Sequence, residues 1–219
     1  MRGVSRQKKM LQYYEQRQPE YEAIYSKPER QGDLAELEKN LLRLVSGLHV
    51  LELACGTGYW TRRMIKSAAS VHATDASPKL AQVALESCSS PKVTAGALDA
   101  YALPPSSQYN CLVAGFFWSH IGRSKISAFL AGLAHALEPG TRFVFFDNRY
   151  VEGSSTPISR RSETGDTFQL RTLSDGSKHE VLKNFPEARE LYEVIRPHAG
   201  EVFVQESQYF WLAHGALGG

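Results

Sequence analysis

Residues 49–58, HVLELACGTG, constrain this chain more than any other stretch. A short apolar run ending in two closely spaced glycines reads as a buried strand that turns sharply into a helix. Glycine at such a turn lets backbone pass close to a ligand, because no Cβ fills the space. Strand–helix alternation follows. Tyr59–Ala68 reads as a helix and Val71–Asp75 as a second strand. Ser77-Pro78 supplies an N-cap and a first helical proline for a helix to about Ser87. Lys92–Ala95 and Asn110–Phe117 read as strands. Ser124 caps a helix that turns Ile126, Phe129, Leu130, Leu133 and Leu137 inward and stops at Pro139-Gly140, before a strand at Thr141–Asp147. Alternation at this spacing predicts parallel βαβ units in an α/β, doubly wound sheet.

The flanks are different. Residues 1–28 are polar and rich in tyrosine, and Pro19 and Pro28 divide them into two short helices. Leu34, Leu37, Leu41, Leu44 and Val45 then recur at helical spacing. Beyond Asp147, Thr167–Leu173 and Lys178–Phe185 flank the turn Ser174-Asp175-Gly176-Ser177 and read as an inserted β-hairpin. A helix over Pro186–Arg196 and two strands, Glu201–Glu206 and Gln208–His214, close the chain as an antiparallel pair. The 219 residues are expected to form a single domain, 1–219, with a lid (1–28) and a substrate-covering insertion (151–185).

Twenty-five Lys+Arg against 23 Asp+Glu is too balanced for nucleic-acid binding by bulk charge. No run approaches the roughly 18 apolar residues of a membrane span. The basic start runs into Gln12-Tyr13-Tyr14-Glu15 rather than the apolar core of a signal peptide. Cys55, Cys88 and Cys111 are too few and too scattered for a disulfide framework or a zinc site, so a cytoplasmic location is expected.

The chemistry concentrates at strand ends. Glu52 stands before the glycine turn, Asp75 ends the second strand, and Asp99 follows the third. Successive parallel strands bring such ends to one crevice, where Asp75 can accept from ribose hydroxyls. The third glycine of a dinucleotide loop is replaced by Thr61, after bulky Tyr59 and Trp60. Glu52 would repel a pyrophosphate but attract an ammonium or sulfonium. These features favour S-adenosylmethionine over NAD.

VLELACGTGYWT (50–61), Ala73-Thr74-Asp75-Ala76-Ser77, Leu98-Asp99-Ala100-Tyr101-Ala102-Leu103-Pro104 and Leu137-Glu138-Pro139-Gly140-Thr141 together resemble the class I S-adenosylmethionine-dependent methyltransferase family. The likeness spans about residues 30–150 and, more loosely, 186–214. It implies a seven-stranded, mostly parallel, Rossmann-like sheet in the order 3-2-1-4-5-7-6, with the seventh strand antiparallel. It also implies that Glu52, Ala54, Gly56 and Gly58 line the methionine half of the cofactor. By the same likeness Asp75 and Ala76 hold the ribose, Leu98 and Asp99 the adenine, and Gly115 and Phe116 lie under the methionyl group. Cys55 departs from the usual loop and reads as packing. Small-molecule members close an N-terminal helical lid over the cofactor. Tyr14 and Tyr25 are therefore candidate cofactor contacts and Tyr21 a candidate catalytic group, with lid packing as the plainer alternative.

His120, after the fourth strand, is the other candidate catalytic residue, as proton acceptor or orienting group; capping the next helix is the structural alternative. Tyr13, Trp118, Asn148, Arg149 and Tyr150 are candidate acceptor contacts, with Arg149 alternatively pairing with an acidic residue of the lid. Arg160, Arg161 and Arg171 in the insertion read as a solvated face. The expectation is a small-molecule methyltransferase, monomer or homodimer, using neither nucleic acid nor membrane. A nitrogen of a planar or cationic metabolite is favoured over oxygen. An O-methyltransferase and a cofactor-binding, non-methylating protein remain as alternatives.

Overall fold

The computed structural model describes residues 13–17, 22 and 25–218. Tyr21 lies outside the described residues, so its expected catalytic role stays a reading of sequence. Five parallel strands form the centre: β1 (His49–Leu53), β2 (Ser70–Asp75), β3 (Val93–Ala97), β4 (Cys111–Gly115) and β5 (Arg142–Asn148). Chain reversal places β10 (Phe210–Leu217) antiparallel to β5 and β9 (Ala199–Glu206) antiparallel to β10. The sheet order is β3-β2-β1-β4-β5-β10-β9, the seven-stranded order that the resemblance implies.

Near-continuous apolar runs make β1, β4 and β5 strands buried on both faces, as parallel sheets require. One face packs under α1 (Gln31–Leu44) and α2 (Thr61–Met64), where Leu34, Leu37, Leu41, Trp60 and Met64 meet Val50, Val113 and Phe146. The other packs under α4 (Ile126–Ala136) and α5 (Ala188–Ile195), where Phe129, Leu130, Leu133 and Leu191 meet Leu112, Phe145 and Trp211. α3 (Pro78–Glu86) starts at Ser77, whose hydroxyl caps it by accepting from Leu80 N–H at 3.3 Å. The helix expected over Tyr59–Ala68 is regular only at α2, after which the chain turns back and Ser67 Oγ donates to Leu42 O.

The insertion is a three-stranded sheet rather than a hairpin. β6 (Ile158–Arg161) pairs with β7 (Thr167–Thr172), which pairs with β8 (Lys178–Leu182). β6 escaped the sequence pattern because three of its four residues, Ile-Ser-Arg-Arg, are polar and exposed. Asn184, just past β8, fastens the insertion to the main body, with its amide donating to Ile121 O and Asp166 Oδ1, both at 3.0 Å. Among the described residues no helix is long and apolar enough to cross a membrane.

Candidate active site

The turn after β1 has the backbone that its glycines anticipate. Gly56 sits at φ 55° and Gly58 at φ 81°, and Ala54 shares this left-handed region at φ 53°. A Cβ on Gly58 would lie 2.9 Å from Ala84 Cα, so this glycine serves the approach of α3 as well as the turn. Asp75 closes the turn from β2: Oδ2 accepts from Gly56 N–H at 3.1 Å and Oδ1 from Ser77 N–H at 2.9 Å. Ala76 follows it on the exposed rim. Leu98 N–H donates to Asp75 O, and exposed Asp99 accepts from Tyr101 N–H, so the ends of β1, β2 and β3 form one continuous rim.

Glu52 is the singular group of this rim. It is buried, its Oε2 accepts a 2.5 Å bond from Thr61 Oγ1, and no cation pairs with it among the described residues. Burial pushes its carboxyl up to about 8, although the Thr61 bond pulls the other way. A buried carboxyl of this kind is destabilising unless a cation arrives, which is the role an ammonium-bearing cofactor would fill. Burial also raises the Cys55 thiol far above its ordinary range, consistent with packing rather than nucleophilic use.

At the end of β4, Gly115 is dictated by Phe146, whose ring a Cβ would meet at 2.4 Å. Phe116 follows at φ 57°, an uncommon conformation for a bulky residue and one that recurs at functional sites. Its N–H is tied to Phe146 O at 2.7 Å.

Beside Phe116 lies a cavity of about 320 Å³, within the usual range for a small-ligand pocket. Residues 13–16 form a helical turn that walls one side with Tyr13 and Tyr14. Tyr14 Oη lies 2.7 Å from His120 Nε2, and His120 Nδ1 lies 2.7 Å from Leu182 O. A carbonyl can only accept, so Nδ1 carries the proton and Nε2 accepts from the Tyr14 hydroxyl. Burial and the neighbouring Lys183 ammonium hold the imidazole neutral, well below its usual range. Tyr14 is likewise raised by burial.

Lys183 emerges just past β8 into this wall. Its ammonium donates to Asp147 Oδ1 at 2.8 Å and Ser119 Oγ at 2.6 Å, and Ser119 Oγ donates to Asp147 Oδ2 at 2.7 Å. Burial draws Lys183 down to about 8 against the pull of Asp147. Asp147, opposed by burial, is held below the usual carboxylate range by the Lys183 charge and by the hydrogen bonds from Lys183 and Ser119 N–H. Arg17, Lys27, Arg30 and Arg171 complete a wall of five cations, and among the described residues no carboxylate lines the cavity. Arg171 donates through Nη2 to Gln169 Oε1 at 2.9 Å, while its buried Nε has no hydrogen-bond partner.

The structure brings together Tyr13, Tyr14, Phe116, His120 and Asn148 of the residues singled out by sequence, and separates others. Trp118 is only 2% exposed and packs on Phe145 and Trp211 in the core, because the chain after Phe117 turns under the sheet. Arg149 points to the β9–β10 connection, donating to Ser207 O and pairing with Glu206 at 3.5 Å. Tyr150 is exposed and lies edge-on to Phe185, lining a different hollow. Tyr25 stacks on Tyr59 at 3.7 Å and meets Phe116 edge-on, so it braces the turn rather than facing the cavity. Arg171, read as part of a solvated face, is one of the cavity cations. Lys27, Arg30 and Lys183 escaped the sequence reading altogether. The visible trace of Lys183 was a lysine following the apolar pair Val181-Leu182.

Two lid carboxylates fasten the N-terminal segment to the cofactor rim. Glu15 accepts from Ser77 Oγ at 2.5 Å. Glu22 accepts from Thr57 Oγ1 at 3.1 Å and from Arg62 Nη2 at 2.6 Å.

The fold and strand-end rim are similar to those of S-adenosylmethionine-dependent methyltransferases. Residues 50–140 match the methyltransferase-domain family. A demethylmenaquinone methyltransferase of Tropheryma whipplei (strain Twist) is 30% identical over 121 residues, 55% of this chain and 50% of the relative. The chain thus spans about half the length of the curated relatives it matches. Among solved structures, a DhpI–SAH complex is 27% identical with a TM-score of 0.77, covering 96% of both chains. A DhpI–SAM–HEP complex is also 27% identical, with a TM-score of 0.78 over 95% of this chain and 96% of that one. An S-adenosylmethionine-dependent methyltransferase from Mesorhizobium loti shares the fold at 14% identity and a TM-score of 0.58, covering 83% of this chain and 96% of that one.

Proposed function

We propose that this protein transfers the methyl group of S-adenosylmethionine to a small anionic acceptor, at an oxygen. The observation that carries this reading is the gathering of Arg17, Lys27, Arg30, Arg171 and Lys183 around one cavity, where Asp147, paired with Lys183, is the acidic counterweight among the described residues. A cationic metabolite would be repelled there, and that weighs against the cationic nitrogen acceptor favoured by sequence. Glu52, Gly56, Asp75 and Leu98 would hold the cofactor along the rim, with Phe116 between it and the cavity. When bound, S-adenosylmethionine supplies a methyl group on a positively charged sulfur.

The remaining tasks fall to the chain. Arg171 and Lys183 hold the acceptor oxyanion by charge-assisted hydrogen bonds. Phe116, Tyr13 and Tyr14 exclude water, which strengthens those contacts. Alignment of the oxygen behind the methyl group supplies most of the rate. Transfer to such an oxygen would cancel one negative charge of the acceptor against the positive charge of the sulfur, so the cavity cations would hold the acceptor more tightly than its product. An oxyanion has no proton to surrender, so no general base is needed. His120, with both nitrogens engaged, acts as a positioning residue for Tyr14.

The test is S-adenosylhomocysteine formation by the purified chain with panels of small carboxylates, phosphates, amines and neutral alcohols. Turnover is expected with acidic members. Turnover confined to amines would overturn the reading, and cofactor binding without turnover on any panel would favour a non-methylating role.

A further inference from the structure

The cations of the cavity fall into two poles. Arg171 and Lys183 come from the insertion and adjoin Tyr14 and His120. Lys27 and Arg30 precede α1 and adjoin Asn148 and Ser154 beyond β5. The poles flank the end of β5 from two sides: Lys183 donates to Asp147 Oδ1 at 2.8 Å, and Arg30 Nη1 donates to Oδ1 of the next residue, Asn148, at 3.1 Å.

The Lys27–Arg30 pole is built, not incidental. Arg30 is only 7% exposed, and its guanidinium lies over the Tyr209 ring at 5.2 Å. Nε donates to Ser154 Oγ at 2.9 Å and Nη1 to Asn148 Oδ1 at 3.1 Å. Lys27 donates to Ser154 O. All these acceptors are neutral, and among the described residues no carboxylate lies within ion-pair distance of Lys27 or Arg30. Glu29, exposed, reaches Ser154 Oγ at 2.7 Å but does not line the cavity. A buried guanidinium held only by neutral groups is costly until an anion joins it.

We propose that Lys27 and Arg30 form a second anion subsite, so that the acceptor is a small dianion gripped at both ends. Arg171 and Lys183 hold the end that receives the methyl group; Lys27 and Arg30 hold the other and set the length of molecule admitted. This rests on the anionic-acceptor reading and narrows it to two-headed acids. The cofactor's own carboxylate is the competing source of the same chemistry at this pole.

The experiment is calorimetry on the full chain saturated with S-adenosylhomocysteine, using matched probes: succinate against butyrate, and phosphoglycolate against ethyl phosphate. The two-headed member of each pair is expected to bind at least about tenfold more tightly, the scale of one added charge-assisted contact. Lys27→Met and Arg30→Gln are expected to abolish that preference while leaving one-headed binding and S-adenosylhomocysteine affinity unchanged. Lys27 is half-buried, so its variant keeps the test valid should Arg30→Gln fold poorly. Equal affinity of both members for the unaltered chain would overturn the second subsite alone. A tenfold loss of S-adenosylhomocysteine affinity in either variant would assign the pole to the cofactor. Failure of all four probes to bind would overturn the anionic-acceptor reading together with the subsite.

Discussion

The Lys183 ammonium lies 2.8 Å from the Asp147 carboxylate, one brought by the insertion and the other by the last parallel strand, and both are buried. The contact couples the inserted sheet to the catalytic edge of the main sheet. Its charges also set how the cavity responds to pH.

Lys183 carries its proton below about 8 and loses it as pH rises. On the anionic-acceptor reading, the charge that would hold the oxyanion is therefore present at neutral pH and lost on the alkaline side. kcat/KM for the acceptor is expected to fall above about pH 8, and Lys183→Arg, which does not titrate in this range, should move that limb upward. A pH–rate profile of both proteins checks this.

Removing one partner of a buried pair strands the other charge, at a cost of about 3–5 kcal/mol. Asp147→Ala should lower the unfolding midpoint sharply. The double change Lys183→Met with Asp147→Asn should recover much of the loss without restoring activity. Denaturant melts of the single and double variants measure the coupling.

Glu52 titrates in the opposite sense to an ordinary stabilising carboxylate. Its folded pKa lies above its unfolded one, so its contribution to stability is present below about pH 4.5 and lost as pH rises through about 8. In the absence of cofactor, Glu52→Gln should raise the unfolding midpoint at pH 8. Binding of S-adenosylhomocysteine at pH 7 should release part of a proton as its ammonium draws the carboxyl into its charged form. Calorimetry in buffers of different ionisation enthalpy reads that release, and Glu52→Gln should abolish it.

His120 stays neutral through the physiological range, so the activity profile should show no limb near pH 6.5. Tyr14→Phe leaves the buried Nε2 without its donor and should cost about 1–3 kcal/mol of stability. An acidic limb in the unaltered enzyme that disappears in a His120 variant would restore the proton-acceptor role expected from sequence.

Gly115→Ala should destabilise by about 1–3 kcal/mol through overpacking against Phe146. Pairing it with Phe146→Leu, which removes the contacted ring atoms, should recover part of that loss in thermal melts.

What the sequence made legible was what repeats locally. β1, β4 and β5 announced themselves as apolar runs, and the glycine turn with Glu52 and Asp75 announced the cofactor rim. The acceptor wall was harder to read because its contacts join distant positions: Lys183 meets Ser119 across 64 residues, and Arg30 meets Asn148 across 118. No periodicity records such pairings. Arg171 looked solvated because β7 alternates, and only the packing of residues 13–17 over it makes its face an interior one. Trp118 illustrates the reverse error: an aromatic beside a site residue is drawn into the core when the chain turns beneath the sheet.

The single helical turn at residues 13–16 carries Tyr14, which bonds to His120 in the acceptor wall, and Glu15, which bonds to Ser77 on the cofactor rim. One turn of backbone cannot leave the second place while staying in the first. Exchange of spent for fresh cofactor through this side therefore dismantles the acceptor's chamber. Whatever frees Ser77 on the rim thus also loosens the partner of His120 on the far wall.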